Sequence, residues 1–333
     1  MKSLLFILAA SASVLLSVSQ GFCQQWVSLD PSWRQTQSSK ELAEKEFDRS
    51  LNLAPPYGID QNDPGTWDLW GDYDSDLCFP ASLANALIYE STYAPKPAPE
   101  LALVGMDPAH SRVNVTTLLR YLTINCNTKA GWGTDIWDAG KCILDYYAAT
   151  GFHKPKVVGY MATAPGDTYY EVPDKAYYEK GGKWVNQAPT PSVIRKALDA
   201  GMTLLLSTDW FWPPTDDKKP DRRWARGIGH YFNVYGYDYD KNWKNEKIIL
   251  KVSNPDGDYS GVPNGSPVFD SVTLRRLDPS TGYGKNPPPL EYPSKRYYVI
   301  EGPGFSYPGQ FAFLDSMFVM SPGTHDSPTS SRP

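Results

Sequence analysis

The chain has few residues of the kinds that most often carry chemistry, with four cysteines and four histidines in 333 residues. It has no zinc-ligand spacing, no Gly-Lys-Thr phosphate loop and no serine-hydrolase elbow, which argues against those kinds of site. An excess of positive charge is missing too, because the formal net charge is -5 with both signs scattered along the chain. We therefore expect no nucleic-acid partner, no anionic-membrane partner and no cofactor.

Long apolar runs are also scarce, and the one that stands out lies at the start of the chain. Leu4 to Val18 is apolar and uncharged, and it follows the positive Lys2. The run is too short for a comfortable membrane span, so we expect residues 1–22 to be a secretory signal peptide. Because Phe22 stands before Cys23, where a lipobox needs a small residue, we expect a secreted or periplasmic protein without membrane association after signal removal.

Apolar and aromatic residues are what the chain has in quantity. Hydrophobic residues make up 41% of it, which suffices for a folded core. The 11 Trp, 22 Tyr and 30 Pro indicate long ordered loops. The aromatic residues fit two interpretations equally well: an aromatic-lined groove for peptide or glycan, and a surface packed by aromatic side chains.

The sequence around Cys78 predicts a helix that begins within a few residues of this thiol. Apolar residues recur at helical spacing from Ala81 to Ile88, Asp76 is suited to cap the helix, and Pro80 is suited to its first turn. A cysteine there lies at the positive end of the helix dipole, which favours the nucleophilic thiolate. The alternative is a small, inert cysteine buried in the core.

The remaining cysteines bear on this choice. Cys126 and Cys142 flank a Gly131-Trp132-Gly133 turn between two helical patterns, and in an oxidising compartment we expect them to form a local disulfide. Cys23 lies at the expected cleavage site. Cys78 then has no evident partner, so it is either reactive or deeply buried, although pairing with another cysteine stays open.

Periodicity predicts the other elements. Helical spacing marks residues 113–124, 135–150 and 190–200. Strand patterns mark residues 156–161, 202–207, 231–237, 247–253, 271–277, 296–300 and 311–319. Residues 39–51 are predicted to form a surface helix or a pro-region-like arm, and residues 210–229 a long loop.

Two of the predicted strands bring a histidine and an asparagine together. By alternation, His230 shares a face with Phe232 and Val234, and Asn254 shares a face with Val252. A hairpin symmetric about Asn242 places His230 directly opposite Asn254, with Cβ atoms about 5 Å apart. Since a thiol beside a histidine whose tautomer is held by an amide is the arrangement of cysteine-nucleophile acyl transfer, these residues predict that chemistry.

The three segments that carry these side chains form recognisable motifs. They are Cys78-Phe79-Pro80-Ala81-Ser82, Gly229-His230-Tyr231-Phe232-Asn233-Val234-Tyr235-Gly236-Tyr237-Asp238 and Val252-Ser253-Asn254-Pro255. In that order they resemble Cys-Gly-Pro-Ala-Ser, Gly-His-x-x-x-Val-x-Gly-Tyr-Asp and Val-x-Asp-Pro of the papain-like double-glycine (bacteriocin-processing) peptidases and their exported relatives. Asn254 replaces the aspartate of the third motif.

The resemblance implies an α+β, papain-like fold in which an N-terminal helical part packs its cysteine helix on an antiparallel sheet carrying the histidine and the asparagine. It implies Cys78 as nucleophile, His230 as general base and acid, and Asn254 as orienter, with Asp256 or Asp258 as fallback. The implied activity is that of an exported cysteine peptidase acting on a peptide or protein substrate. The alternatives are a cell-wall peptide amidase with the same triad and a catalytically impaired protein that binds peptide or glycan.

The resemblance also divides the chain. We expect a signal peptide (1–22), an N-terminal extension (23–65), a catalytic domain (66–258), a β-rich C-terminal extension of that domain (259–321) and a disordered tail (322–333).

The chain departs from the family at the expected oxyanion donor. The family places a glutamine about half a dozen residues before the cysteine, where this chain has Asp72. A carboxylate does not stabilise an oxyanion unless it is protonated, so the donor is unassigned, with Gln61 and the Cys78 backbone amide as candidates. Asp72, Asp74 and Asp76 also resemble a calcium loop, but Leu77 stands where that loop needs glycine, so we expect no metal site.

Overall fold

The computed structural model describes residues 26–28, 49–52, 76–92, 103–107, 112–129, 131–161, 175–212, 225–256, 268–277, 298–306 and 309–325. The helices are α1 (Cys78–Thr92), α2 (Val115–Asn125), α3 (Ile136–Ala149), α4 (Lys175–Glu179) and α5 (Pro191–Asp199). The strands are β1 (Trp26–Ser28), β2 (Arg49–Asn52), β3 (Met106–Asp107), β4 (Arg112–Asn114), β5 (Phe152–His153), β6 (Lys156–Met161), β7 (Lys183–Asn186), β8 (Thr203–Trp212), β9 (Ala225–Tyr239), β10 (Lys247–Asn254), β11 (Val268–Arg276), β12 (Tyr298–Glu301), β13 (Phe311–Ser321) and β14 (Thr324–His325).

The protein is mixed α+β, with one large and mostly antiparallel sheet. Its strands follow the order β12-β11-β10-β9-β8-β13-β6-β7, and β2 adds to β9. An additional pairing of β12 with β13 closes six of these strands into a ring. The strands β11, β12 and β13, which follow β10 in the chain, are therefore part of the same sheet as β9 and β10.

Two apolar clusters lie on the two faces of this sheet. One joins α1, α2, α3 and α4 to the sheet and includes Leu83, Leu119 and Tyr231, whereas α5 packs on the other cluster. The other includes Phe232, Val252 and further side chains of β8 to β13. Because Tyr231 and Phe232 are adjacent in β9, the side chains of this strand alternate between the clusters.

Helix α1 confirms the prediction made around Cys78. It begins at the cysteine itself, carries Pro80 in its first turn and is buried from residue 78 to residue 90. Helices α2, α3 and α5 also lie within a few residues of their predicted bounds. Their N-caps are Asn114, Asp135 and Thr190, whose side chains accept backbone N–H groups of the first turn.

Three expectations about chain segments differ from the structure. Residues 210–212 and 225–229 were expected in a loop, but they extend β8 and β9 as paired strands. Residues 49–51 were expected at the end of a surface helix or a pro-region-like arm, but they lie in β2, which pairs with β9. Thr324–His325 lies in the expected disordered tail and pairs with Phe152–His153. In each case long-range backbone pairing overrides the local pattern.

In the described part of the chain, we find no helix whose length and apolar character would allow it to span a membrane.

Candidate functional site

The first turn of α1 is held against β9 at Tyr231. Ser82 Oγ donates a hydrogen bond of 2.9 Å to the Tyr231 carbonyl oxygen, and this bond is buried. The Phe79 ring meets the Tyr231 ring edge-on, with 4.9 Å between centroids. Phe79, which stands where the family has glycine, therefore fills the space between the helix and the strand.

The Cys78 thiol is a free cysteine buried at this contact. Backbone N–H groups of Tyr231 and Phe79 donate toward its sulfur, and both lower the pKa of the thiol. Burial outweighs them, and together with the charges of Asp76 and Asp256 it raises the pKa to about 12. The helix dipole was expected to favour the thiolate, but removal from water penalises the charged form more, so the resting site favours the neutral thiol.

His230 and Asn254 form a buried hydrogen bond. His230 Nε2 lies 2.6 Å from Asn254 Oδ1, and the Asp256 backbone N–H donates to the same Oδ1 at 3.0 Å. Since the backbone amide can only donate, Oδ1 is an acceptor and Nε2 must carry the proton. In the neutral imidazole, Nδ1 is then the free base.

The register behind this contact differs from the prediction. A hairpin symmetric about Asn242 pairs Ser253 with Tyr231, but in the structure Ser253 pairs with Asn233. His230 and Asn254 are therefore diagonal rather than directly opposite. The contact survives because a shift of two residues keeps His230 and Asn254 on the same face of the sheet.

A β-bulge explains why the shift is even. Near the turn, Ile249 pairs with Asp238, whereas the symmetric hairpin would pair it with Tyr235, so the register there differs from the prediction by about three residues. The bulge between Lys251 and Val252 reduces this difference by one residue, which makes it even at Ser253. Without this bulge the asparagine would point to the other face of the sheet.

Aromatic side chains cover the imidazole. The ring centroids of Trp210 and Phe305 lie 5.8 Å and 6.3 Å from that of His230, and Trp210 Nε1 donates to the Phe305 carbonyl at 3.3 Å. Burial lowers the pKa of His230 to about 4, and the Asn254 hydrogen bond opposes this shift. The imidazole is therefore neutral at neutral pH.

The segment that provides Phe305 also restricts Asn254. A Cβ placed on Gly304 would lie 2.5 Å from Asn254 Nδ2, and the φ of this glycine is +74°. Gly304 thus lets the backbone approach the amide closely. Trp210, Gly304 and Phe305 were not among the predicted site residues, because no local signal in the sequence connects them with a histidine and an asparagine distant in sequence.

The Cys78 sulfur contacts the backbone beside His230. The amide that donates to the Cys78 sulfur belongs to Tyr231, which directly follows His230. Both side chains are described, and no hydrogen bond joins the thiol to the imidazole. Asp256, the fallback third member, affects the thiol through its charge, while the hydrogen-bond partner of the imidazole is Asn254.

The expected oxyanion position at Asp72, the distant candidate Gln61 and the second fallback Asp258 lie outside the described residues. Within the described part of the chain, the backbone amides of Tyr231 and Phe79 are the donors directed at the Cys78 sulfur.

The predicted disulfide is present. Cys126 and Cys142 are bonded, with their Cα atoms 4.9 Å apart, and they join the end of α2 to α3. Among the described residues, no group of three or more His, Cys, Asp or Glu side chains is arranged to hold a metal ion.

Comparisons with known proteins give no identification. No family model matches the chain, no curated protein matches it, and no solved structure matches it.

Proposed function

We propose that the chain is an exported, papain-like cysteine peptidase that hydrolyses peptide bonds with Cys78, His230 and Asn254. The observation that carries the proposal is the amide oxygen of Asn254, which the Asp256 backbone orients toward His230 Nε2. This contact gives the imidazole the tautomer that a general base needs. Export is supported by the apolar N-terminal run and by the Cys126–Cys142 disulfide.

The reaction starts from neutral partners. When a substrate carbonyl lies against Cys78, His230 Nδ1 takes the thiol proton as the sulfur attacks the carbonyl carbon. His230 then gives this proton to the leaving amine, which breaks the C–N bond and leaves an acyl-enzyme. Water attacks the acyl-enzyme with the same base, releasing the acid and restoring the thiol. Asn254 keeps Nε2 protonated throughout and stabilises the transient imidazolium.

A second function is favoured by the electrostatics of Cys78. Burial and the charges of Asp76 and Asp256 raise the pKa of its thiol to about 12, which suits an inert cysteine. In this alternative the chain is a catalytically impaired protein that binds peptide or glycan at the same place.

One experiment decides between these functions. Wild type, Cys78→Ala and His230→Ala are incubated with denatured protein and, separately, with peptidoglycan, and fragments are quantified. His153→Ala serves as control, because this histidine is exposed and lies in β5. We expect fragments from wild type and the control, none from Cys78→Ala, and a loss on the order of 10²- to 10⁴-fold for His230→Ala.

Other results of this experiment would support a different function or remove His230 from the mechanism. Equal results for wild type and Cys78→Ala on both substrates would remove the peptidase and leave the binding function. Fragments from peptidoglycan alone would make the enzyme a cell-wall peptide amidase with the same triad. A His230→Ala variant as active as His153→Ala would remove His230 from the mechanism.

A further inference from the structure

Trp132 is an exposed aromatic side chain that does not serve the core. Three large hydrophobic side chains are exposed in the described part of the chain, and Trp132 is the most exposed of them at 88%. Burial of an indole is among the largest stabilising contributions that a side chain can make. At this position almost none of that stabilisation is realised, so the fold itself does not explain the tryptophan.

The turn that carries Trp132 is held firmly. Lys129 and Gly133 exchange backbone hydrogen bonds of 2.9 Å and 2.8 Å, and the hydroxyls of Thr128 and Thr134 form a buried bond of 2.8 Å. The Cys126–Cys142 disulfide fixes the turn to α3. An aromatic side chain on a rigid support binds a ligand with little loss of conformational entropy.

The same turn is attached to the segment that leads into Cys78. The Gly131 backbone N–H donates to Asp76 Oδ2, and a Cβ on Gly133 would lie 3.6 Å from the Asp76 carbonyl oxygen. Asp76 stands two residues before Cys78, and its charge acts on the thiol. The turn that carries Trp132 therefore lies against the segment that leads into Cys78.

The charges on the segments that adjoin this turn favour a cation. Carboxylates of Asp76, Asp135 and Asp138 lie on the segments that adjoin the turn, against one lysine, Lys129, within the turn itself. The face of a tryptophan attracts an arginine or lysine side chain, and nearby carboxylates add to that attraction.

We propose that Trp132 is a substrate-binding platform that takes the arginine or lysine side chain of a peptide whose backbone lies at Cys78. This rests on the proposed function, in which Cys78 receives the peptide carbonyl.

The test measures peptide binding and peptide cleavage separately. Binding is followed by fluorescence anisotropy in the Cys78→Ala protein, with a fluorescein-labelled pool of short peptides that carry one central arginine. The matched pool carries citrulline, the neutral analogue of arginine. Added substitutions are Trp132→Ala, Trp132→Phe and, as control on a second exposed residue, Ile124→Ala, because Ile124 is 67% exposed at the end of α2.

We expect Trp132→Ala to weaken binding of the arginine pool by roughly 3- to 30-fold. Trp132→Phe should retain most of the affinity, and Ile124→Ala should retain all of it. The citrulline pool should bind more weakly to the parent protein and respond little to Trp132→Ala.

Three results would overturn the proposal: no saturable binding of the arginine pool, equal binding with and without Trp132, or an equal loss for the citrulline pool. Cleavage of the pools by wild type distinguishes this proposal from the proposed function. Cleavage without dependence on Trp132 keeps the peptidase and removes the platform, while Trp132-dependent binding without cleavage keeps the platform and removes the peptidase.

Discussion

The two ends of α1 each bury an ionisable side chain, and only one end resembles a catalytic site. At the first residue, burial raises the pKa of Cys78 to about 12. Near the last turn, Glu90 is 3% exposed and burial raises its pKa to about 7. The cause is the same at both ends, because removal from water disfavours the charged form.

The difference lies in what surrounds each group. Glu90 Oε2 accepts a 2.6 Å hydrogen bond from the Tyr147 hydroxyl, and the pKa of that tyrosine is itself raised by burial and by Glu90. Neither partner gives up its proton readily. The Cys78 sulfur instead receives the backbone amide of Tyr231, the residue that follows His230 in β9, and His230 is a neutral base whose tautomer is fixed. A perturbed pKa alone therefore does not mark a site, and the neighbouring base makes the distinction.

The largest expected effect at the Glu90 end is on stability. Its folded-state pKa is above the unfolded value of 4.5, so its contribution to stability is complete below pH 4.5 and is lost as the pH rises through about 7. The loss amounts to about 3 kcal/mol. Glu90→Gln removes the titration, so its free energy of unfolding relative to wild type should rise by about 3 kcal/mol between pH 4.5 and pH 8.

Urea denaturation of both proteins at the two pH values measures this change. His230 titrates in both proteins and cancels in the comparison. Peptide hydrolysis at pH 5 should be the same for Glu90→Gln and wild type. If the free energies of unfolding of Glu90→Gln and wild type changed in parallel with pH, Glu90 would be ionised in the folded protein. A loss of hydrolysis in Glu90→Gln would mean that both ends of α1 contribute to activity.

The second expected effect tests the support of the Cys78 end. Gly304→Ala places a methyl group 2.5 Å from Asn254 Nδ2, which must displace the amide that orients His230. Gly309→Ala is a matched control, because Gly309 has the same φ of +74° and nothing within 4 Å of its Cβ position. Both variants should lose about 1–2 kcal/mol of stability from backbone strain. Only Gly304→Ala should lose hydrolysis, by about 100-fold.

Hydrolysis and thermal unfolding of both glycine variants decide the point. Equal loss of hydrolysis at the two positions would mean that backbone strain alone accounts for it. The segment that follows β12 would then have no part in positioning Asn254.

Local patterns predicted much of this molecule. The starts of α2, α3 and α5 were predictable because their cap residues, Asn114, Asp135 and Thr190, are followed by apolar residues at helical spacing. Alternation along a strand is a local property, so the neighbours that share a face with His230 in β9 (Phe232 and Val234) and with Asn254 in β10 (Val252) were predictable.

Features that depend on distant chain segments were not predictable. The pairing of β9 with β10 depends on a bulge at Lys251 and Val252, which has no sequence signal. The aromatic cover of His230 comes from Phe305 across a long sequence separation. The protonation state of Cys78 was also not predictable. The helix dipole that favours the thiolate can be inferred from sequence, whereas the burial that raises the pKa of the thiol depends on the packed structure.

The smallest expected effect compares two serines of α1. Ser82 Oγ donates to the Tyr231 carbonyl of β9, while Ser91 Oγ donates to the Ile88 carbonyl of its own helix. Replacement by alanine changes helix propensity equally at both positions. Only Ser82→Ala removes a buried hydrogen bond between α1 and β9. Its free energy of unfolding, measured by urea denaturation, should therefore be about 1 kcal/mol lower than that of Ser91→Ala.

The same pair of variants tests the attachment of the nucleophile. The Ser82 bond holds the residue whose amide donates to the Cys78 sulfur, so Ser82→Ala should also change the rate at which iodoacetamide alkylates Cys78. Ser91→Ala should leave that rate unchanged. If both variants alkylate like wild type, then Phe79 packing alone positions the thiol, and the hydrogen bond at this end of α1 serves stability in the same way as the one at Glu90.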